Sequence, residues 1–103
     1  PSKRISAGNL ELDLNSKILF INKEKIRLTG FEFEIMKLLM KNKGQALSKR
    51  KIMKHLYHDW IGKENNTVEV LIGRLRKKLA PYNSGQIRHQ REEGYYYDLN
   101  GAI

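Results

Sequence analysis

The sequence predicts one α+β domain, in which an antiparallel sheet of three or four strands is followed by three helices and a C-terminal β-hairpin. Three observations support this prediction. Apolar residues alternate with polar ones over the first quarter of the chain, recur every three or four residues between positions 29 and 79, and alternate again near the C-terminus. A chain of 103 residues can bury a modest core without disulfides or metal.

The N-terminal strands are predicted from alternation with a period of two. Over residues 10–14, three leucines alternate with Glu11 and Asp13, which is typical of a half-buried strand. Residues 18–21 form a second predicted strand, residues 26–28 a third and residues 5–7 an added edge. Polar turn segments separate them, so the pattern indicates an antiparallel meander.

The period then changes to that of a helix. Thr29 and Glu32 have the spacing of a capping box, which starts the first helix. Its apolar stripe consists of Phe31, Phe33, Ile35, Met36, Leu38, Leu39 and Met40. Residues 42–44 end this helix. Ser48 caps a second helix, which turns Ile52, Met53 and Leu56 inward and lysines outward.

A third, basic helix is predicted from about Asn66 to Leu79, before Pro81. Two strands, Ile87–Gln90 and Tyr95–Leu99, then flank a four-residue hairpin loop formed by residues 91–94. Two helices before a third basic helix, followed by a β-hairpin, form a winged helix-turn-helix, in which the hairpin is the wing.

The third helix has an outward face that a merely solvated helix would not need. At 100° per residue, one side carries the apolar residues Val68, Leu71, Ile72, Leu75 and Leu79. The opposite side carries Asn66, Val70, Gly73, Arg74 and Lys77. Val70 is apolar although it faces away from the core. Gly73 costs the helix about 1 kcal/mol relative to alanine, but it lets another surface approach closely.

A DNA major groove accounts for these residues. Arg74 can donate to guanine O6 and N7, Val70 can contact a thymine methyl group, and Asn66 suits adenine. Lys77 and Thr67 are better placed for phosphates, since Thr67 lies at the positive N-terminal end of the helix. The alternative is an ordinary amphipathic helix with a solvated basic face.

The charge balance also favours a polyanionic partner. The chain has 20 Lys and Arg against 11 Asp and Glu, with a net charge of +9 and a pI of about 9.9. The cations cluster at residues 41–54, at residues 74–78 and at Arg88 and Arg91. The alternative is that the lysines only keep a small protein soluble. The absence of cysteine excludes disulfides and thiolate sites, and it fits the reducing cytoplasm, where we expect the protein to act.

Several segments resemble the C-terminal effector domain of OmpR/PhoB-type bacterial response regulators. They are Leu10–Asp13, Leu28–Phe33, Gly44–Ser48, Asn66–Leu79 and Gly94-Tyr95. The resemblance implies a four-stranded N-terminal sheet, three helices and a C-terminal wing. It also implies a homodimer on tandem promoter half-sites and a phosphorylated receiver domain, which these residues do not contain. We therefore interpret residues 1–103 as one DNA-binding domain, with residues 1–4 as a tail or linker stub.

The resemblance further implies roles for individual residues. Thr67 and Tyr57 match phosphate-contacting positions, and Val70 and Arg74 match base-facing ones. Arg91 matches a wing arginine that enters the minor groove, and Tyr95 matches a backbone contact at the base of the wing. We also assign Ser48 and Lys49, at the start of the second helix, to the DNA backbone.

Three positions depart from the family pattern. Leu71 replaces a frequent histidine, Gly73 a frequent arginine, and residues 90–95 place Glu92 and Glu93 beside Arg91. These two carboxylates should repel phosphates, so we expect the wing to contribute less to binding than the third helix.

Other function classes have weaker support. No nucleophile, phosphate-binding or paired-acid motif is present, so neither an enzyme nor a cofactor is expected. His55 and His58 have the spacing of metal ligands but no evident third partner, and unpaired surface histidines are the simpler interpretation. Tyr95 and Tyr97 alternate with Tyr96, so the three tyrosines cannot form one stacking platform for single-stranded bases.

Two further partners stay open. The loop of residues 59–65, which carries Trp60 and Ile61, suggests a protein-interaction module, and in the similar family it can face RNA polymerase. An anionic membrane is a weaker candidate, because the apolar helix faces are needed for the core and no apolar run reaches the length of a membrane span.

Overall fold

The computed structural model describes residues 3–57, 67–82 and 86–98. The elements follow the order β1 (Arg4–Ala7), β2 (Leu10–Asp13), β3 (Ile18–Ile21), β4 (Glu24–Arg27), α1 (Gly30–Lys41), α2 (Lys49–Leu56), α3 (Thr67–Leu79), a short 3₁₀ helix (Ala80–Tyr82), β5 (Gln86–Gln90) and β6 (Gly94–Asp98). This architecture confirms the predicted α+β winged helix-turn-helix, including the added edge strand.

The N-terminal sheet is an antiparallel meander in the order β1-β2-β3-β4. In its register, Leu10 pairs with Ile21 and Leu12 with Leu19, and all four side chains are fully buried. A side-chain period of two therefore places one face of the sheet on the core and leaves Glu11 on the other.

The first helix begins where the capping box predicts. The Thr29 hydroxyl accepts a hydrogen bond from the Glu32 amide, and the Glu32 carboxylate accepts one from the Thr29 amide. The apolar stripe of α1 is buried as predicted except at Leu38, which is half-buried, and at Phe31, which is 41% exposed and does not belong to the core. Phe31 packs instead against Tyr57, at the exposed ends of α1 and α2.

The third helix has the predicted division into two faces. Val68, Leu71, Ile72, Leu75 and Leu79 are all buried, whereas Val70, Arg74 and Lys77 are exposed. Helix α2 buries Ile52 and Met53 against the same core, and Leu56 is half-buried. The predicted packing of a third helix with two faces against the core shared with α2 is thus confirmed.

The wing departs from the prediction in its loop. Its turn contains three residues, 91–93, not four, because Gly94 belongs to β6 and pairs with Gln90. Glu92 takes a left-handed conformation with φ of 69°, and the Glu93 amide donates to the Gln90 carbonyl over 3.0 Å. This local hydrogen bond closes the turn one residue earlier than the predicted loop of residues 91–94. The predicted end at Leu99 lies outside the described residues.

The wing is joined to the segment before α2. Leu47 and Tyr95 exchange two backbone hydrogen bonds of 2.7 and 2.9 Å. Gly94 makes this approach possible, since a Cβ atom there would lie 1.9 Å from the Leu47 carbonyl oxygen. Over the described parts of the chain, no helix is both long and apolar enough to cross a membrane.

Candidate nucleic-acid interface

The exposed face of α3 is open to a large partner. Val70 is 49% exposed although it is apolar, and Arg74 and Lys77 are exposed beside it. A Cβ atom at Gly73 would meet no described atom within 4 Å. The missing side chain is therefore not required by packing within the described structure, which fits a site where another surface approaches the helix closely.

The four cations between positions 74 and 78 have two different roles. Arg74 and Lys77 form no hydrogen bond or ion pair with any residue that the structure describes. Arg76 Nε donates to the Ile87 carbonyl over 2.9 Å, which ties α3 to the wing. Lys78 Nζ donates to the Arg27 carbonyl over 2.9 Å and to the Glu32 carboxylate, which ties α3 to β4 and α1. Two cations thus remain available to a ligand, and two hold the helix in place.

Glu32 is the buried partner of Lys78. Its side chain is 1% exposed, and Oε1 accepts hydrogen bonds from Lys78 Nζ and from the Thr29 amide. Burial raises the pKa of Glu32, but the hydrogen bonds from Lys78 and then Thr29 outweigh it, so that pKa lies below its ordinary value of 4.5. Glu32 is therefore ionised at neutral pH.

A cleft runs along α3 where the ends of α1 and α2 meet it. The Phe31 and Tyr57 rings pack edge to face with their centroids 5.1 Å apart. The cleft is lined by Phe31, Tyr57, Thr67, Val70, Leu71 and Arg74. The structure thus brings together four sequence-predicted site residues, Tyr57, Thr67, Val70 and Arg74, beside two apolar ones.

Phe31 is the member of this cleft that sequence reasoning missed. It lies four residues before the buried Ile35, so periodicity alone assigns both residues to the core. Its position in the first helical turn, next to the cap, is the signal that distinguishes it, because a helix end can extend beyond the elements that cover its middle.

The start of α2 presents Ser48 and Lys49, but both are engaged within the protein. Ser48 Oγ accepts a hydrogen bond from the Lys51 amide over 3.0 Å as the helix cap. Lys49 Nζ lies 2.8 Å from Glu69 Oε1 in an ion pair whose side chains are 42% and 44% exposed. The hydrogen bond from Lys49 lowers the pKa of Glu69 against the opposing effect of burial, and His89 of β5 also contributes.

The wing carries charge at its tip and aromatic rings at its base. Arg91, Glu92 and Glu93 are all exposed, and Arg91 forms no ion pair with either acid. Tyr95 is only 8% exposed, and its ring centroid lies 4.8 Å from that of His89. Tyr95 therefore packs under the wing, and most of its ring is inaccessible to a ligand.

The tyrosines of β6 alternate as predicted. Tyr97 is buried with Tyr95, whereas Tyr96 is half-buried on the other face of the hairpin. A continuous aromatic platform is thus excluded for these three residues.

Some predicted residues lie outside the described parts of the chain: Asn66, His58, Trp60 and Ile61, and with them the whole loop of residues 59–65. His55 Nε2 of α2 lies 3.7 Å from Glu34 Oε2 of α1, a distance too long for a hydrogen bond. Within residues 3–57, 67–82 and 86–98, no group of three or more His, Cys, Asp or Glu residues could hold a metal ion.

Known proteins are similar to this chain both in sequence and in fold. A family model described as "Transcriptional regulatory protein, C terminal" matches residues 23–97. The chain is 42% identical over 99 residues to the transcriptional regulatory protein PhoP of Escherichia coli (strain K12), covering 95% of this chain and 44% of PhoP. It is 40% identical over 99 residues to the virulence transcriptional regulatory protein PhoP of Salmonella typhi, with the same coverage. The chain thus spans less than half the length of these relatives.

Solved structures agree with these sequence matches. The crystal structure of the Klebsiella pneumoniae RstA DNA-binding domain in complex with the RstA box has a TM-score of 0.81 to this chain at 27% identity, covering 94% of this chain and 98% of that one. The DNA-binding domain of CpxR from E. coli shares the fold with a TM-score of 0.81 at 22% identity, over 92% and 95% of the two chains. The chain therefore belongs to the family of C-terminal DNA-binding domains of OmpR/PhoB-type transcriptional regulatory proteins.

Proposed function

We propose that this chain binds double-stranded DNA sequence-specifically, as the effector domain of a two-component transcriptional regulator. The observation that carries the proposal is the exposed face of α3, where Arg74 and Lys77 have no partner in the described structure and flank Val70 and Gly73. The RstA domain, which has the same fold, is bound to its RstA box. The family consists of DNA-binding domains of transcription factors, so a binding function rather than catalysis is expected.

Helix α3 would lie in the major groove. Arg74 would donate to a guanine and Val70 would contact a thymine methyl group, with Gly73 allowing the close approach and Asn66 near an adenine. Phosphates would be bound by Lys77, Thr67 and Tyr57 around the edge of the groove. The hydrogen bonds of Arg76 and Lys78 support this placement of α3, because they hold the helix against the wing and the N-terminal sheet.

The wing would have a smaller role at the minor groove. Arg91 is exposed and pairs with no residue that the structure describes, so it can reach a narrow groove, where the potential is most negative. Glu92 and Glu93 stand beside it and would repel phosphates. Tyr95 has little exposed surface, so any backbone contact that it makes would use only a small part of its side chain.

The remaining partners belong to the whole regulator. The proposal includes a homodimer on tandem half-sites and a receiver domain that controls it, as the resemblance to the family implies. It also includes a contact with RNA polymerase through residues 59–65 and a cytoplasmic location.

A salt titration tests the proposal. A duplex is first selected from a random pool on the immobilised domain, and its affinity is then measured by fluorescence anisotropy at increasing salt. About 5–7 phosphate contacts should give a log–log slope near about −5. Vesicles of anionic lipid and the unselected pool serve as controls. A slope near zero, no preference for the selected duplex, or equal affinity for vesicles would overturn the proposal.

A further inference from the structure

The exposed apolar side chains of this domain gather at one place. Among the residues that the structure describes, the large hydrophobic side chains with high exposure are Phe31, Tyr57 and Val70, at 41%, 36% and 49%. All three line the cleft where the start of α1 and the end of α2 meet α3. Single apolar residues scattered over a surface need no explanation, but a contiguous group of them marks an interaction site. The proposed function uses Tyr57 and Val70 and leaves Phe31 without a role.

Phe31 is fixed by the first turn of its own helix. It lies between Thr29 and Glu32, whose reciprocal hydrogen bonds form the capping box. A capped first turn has a defined backbone, and a helical backbone permits few side-chain rotamers. The Phe31 ring is therefore a firm support for a neighbouring side chain, although much of its surface is exposed.

Tyr57 is the side chain that this support holds. It is the C-cap of α2, where the backbone leaves the helix with φ of −128° and ψ of 109°. Its ring packs edge to face on Phe31, with the two centroids 5.1 Å apart and the ring planes at 62°. The Tyr57 hydroxyl has no hydrogen-bond partner within the described part of the chain, so it can donate to an acceptor on another molecule.

We propose that Phe31 is a positioning residue, whose ring holds the Tyr57 ring at one angle so that the Tyr57 hydroxyl meets a DNA phosphate without further ordering. Fixing a freely rotating side chain on binding costs affinity, and a side chain that is already held avoids this cost. The inference rests on the proposed function, in which Tyr57 binds a phosphate. It extends the DNA-facing surface to the first turn of α1.

The test measures Phe31→Leu and Tyr57→Phe, singly and together, by fluorescence anisotropy on the selected duplex and on the random pool. Phe31→Leu keeps an apolar side chain but removes the ring. Each single variant should weaken binding by about three- to fivefold, as the loss of one aromatic pair or one neutral hydrogen bond implies. The double variant should bind as Tyr57→Phe does, because no hydroxyl is left for Phe31 to position.

Two further measurements separate this role from a general disturbance of α2. The loss should be the same on selected and random DNA, since a phosphate contact carries no sequence information. The salt slope should stay that of the wild type, because a neutral hydroxyl releases no counterion, whereas a displaced α2 would also lose cationic contacts and flatten the slope.

Neutral methylphosphonate groups locate the contact. When one such group replaces each phosphate of the selected duplex in turn, the wild-type domain should lose affinity at the phosphate that Tyr57 binds. Tyr57→Phe and Phe31→Leu should both lose less at that same position, whereas Lys77→Ala should lose as much there as the wild type.

Phe20→Leu is the matched control. Phe20 is half-buried on the outer face of the N-terminal sheet, where the Arg4 guanidinium lies 5.0 Å from its ring centroid. The substitution removes the same ring and an aromatic contact away from α3, so it should leave DNA affinity unchanged. Thermal unfolding confirms that each variant is folded.

A further loss in the double variant beyond that of Tyr57→Phe, a flattened salt slope, or wild-type affinity of either single variant would overturn this inference. None of these results would affect the proposed function, since wild-type binding would still depend on sequence and salt. If the wild-type domain itself showed no such dependence, the proposed function would fail first.

Discussion

Gly73 and Gly94 lack a side chain for different physical reasons. At Gly94 the reason is internal, because φ is +122° and the Leu47 carbonyl occupies the place of a Cβ atom. At Gly73, within α3, the surroundings are empty in the described structure. Helix propensity alone would favour alanine there by about 1 kcal/mol, and the proposed close approach of DNA accounts for the glycine.

Alanine at each position separates the two reasons. Gly73→Ala should stabilise the fold by about 1 kcal/mol and yet weaken binding to the selected duplex, because the methyl group holds the groove away. Gly94→Ala should destabilise the fold by about 3 kcal/mol or more, through the clash and the left-handed backbone. Urea unfolding and fluorescence anisotropy measure the two quantities. If Gly73→Ala bound DNA as tightly as the wild type, no surface would approach α3 closely at this point.

Sequence periodicity predicts which residues of α3 are exposed, but not which exposed cations are free. Arg74 and Lys78 belong to one cluster of cations, residues 74–78, which the sequence as a whole assigns to a polyanionic partner. Lys78, however, lies beside the start of α1, where it donates hydrogen bonds to Glu32 and to the Arg27 carbonyl. The same applies to Lys49, whose partner Glu69 is twenty positions away. Such pairs depend on tertiary packing, which a local pattern does not contain.

At the scale of elements, prediction succeeds where local chemistry decides. The capping box fixes the start of α1, the N-cap serine fixes α2, and strict alternation fixes the N-terminal strands. It fails by one residue at the wing turn, where a left-handed Glu92 and the close packing of Gly94 on Leu47 set the loop length. Neither the conformation nor the contact is evident from residue types, because glutamate rarely adopts positive φ.

The ion pair of Glu32 in α1 with Lys78 in α3 predicts how the stability of the fold depends on pH. The pKa of Glu32 in the folded protein lies below its ordinary 4.5, so its ionised form stabilises the fold above that pH. This contribution should be lost as the pH falls below 4.5 and through the lower folded pKa. Replacing Lys78 with Met leaves a buried carboxylate without its cation, which should cost about 2–3 kcal/mol at neutral pH and weaken the loss of stability in acid.

Lys77→Met is the matched control for that change. Lys77 is the adjacent residue, exposed and without a described partner, so its replacement should alter the free energy of unfolding by less than about 0.5 kcal/mol. Urea unfolding between about pH 3 and pH 7 compares the two variants. Equal effects would show that the contact of Lys78 with Glu32 does not stabilise the fold.

At the scale of the whole molecule, the fold serves to hold one helix face in a fixed orientation. The N-terminal sheet and α1 hold α3 through Lys78, and the wing holds it through Arg76. The wing in turn is held by Leu47, in the segment before α2. With a net charge of +9, the domain is attracted to any duplex, and charge alone carries no sequence information, so the proposed discrimination between sequences depends mainly on the few side chains on the open face of α3.

The most direct test of sequence reading by α3 compares Arg74→Ala and Lys77→Ala on the selected and random duplexes at one salt concentration. Arg74→Ala should cost about 1–3 kcal/mol of binding free energy on the selected duplex and relax the preference at one base pair. Lys77→Ala should weaken binding to all duplexes about equally, because a phosphate contact carries no sequence information. If both variants lost affinity evenly on selected and random DNA, α3 would not read bases, and the central role assigned to it would be contradicted.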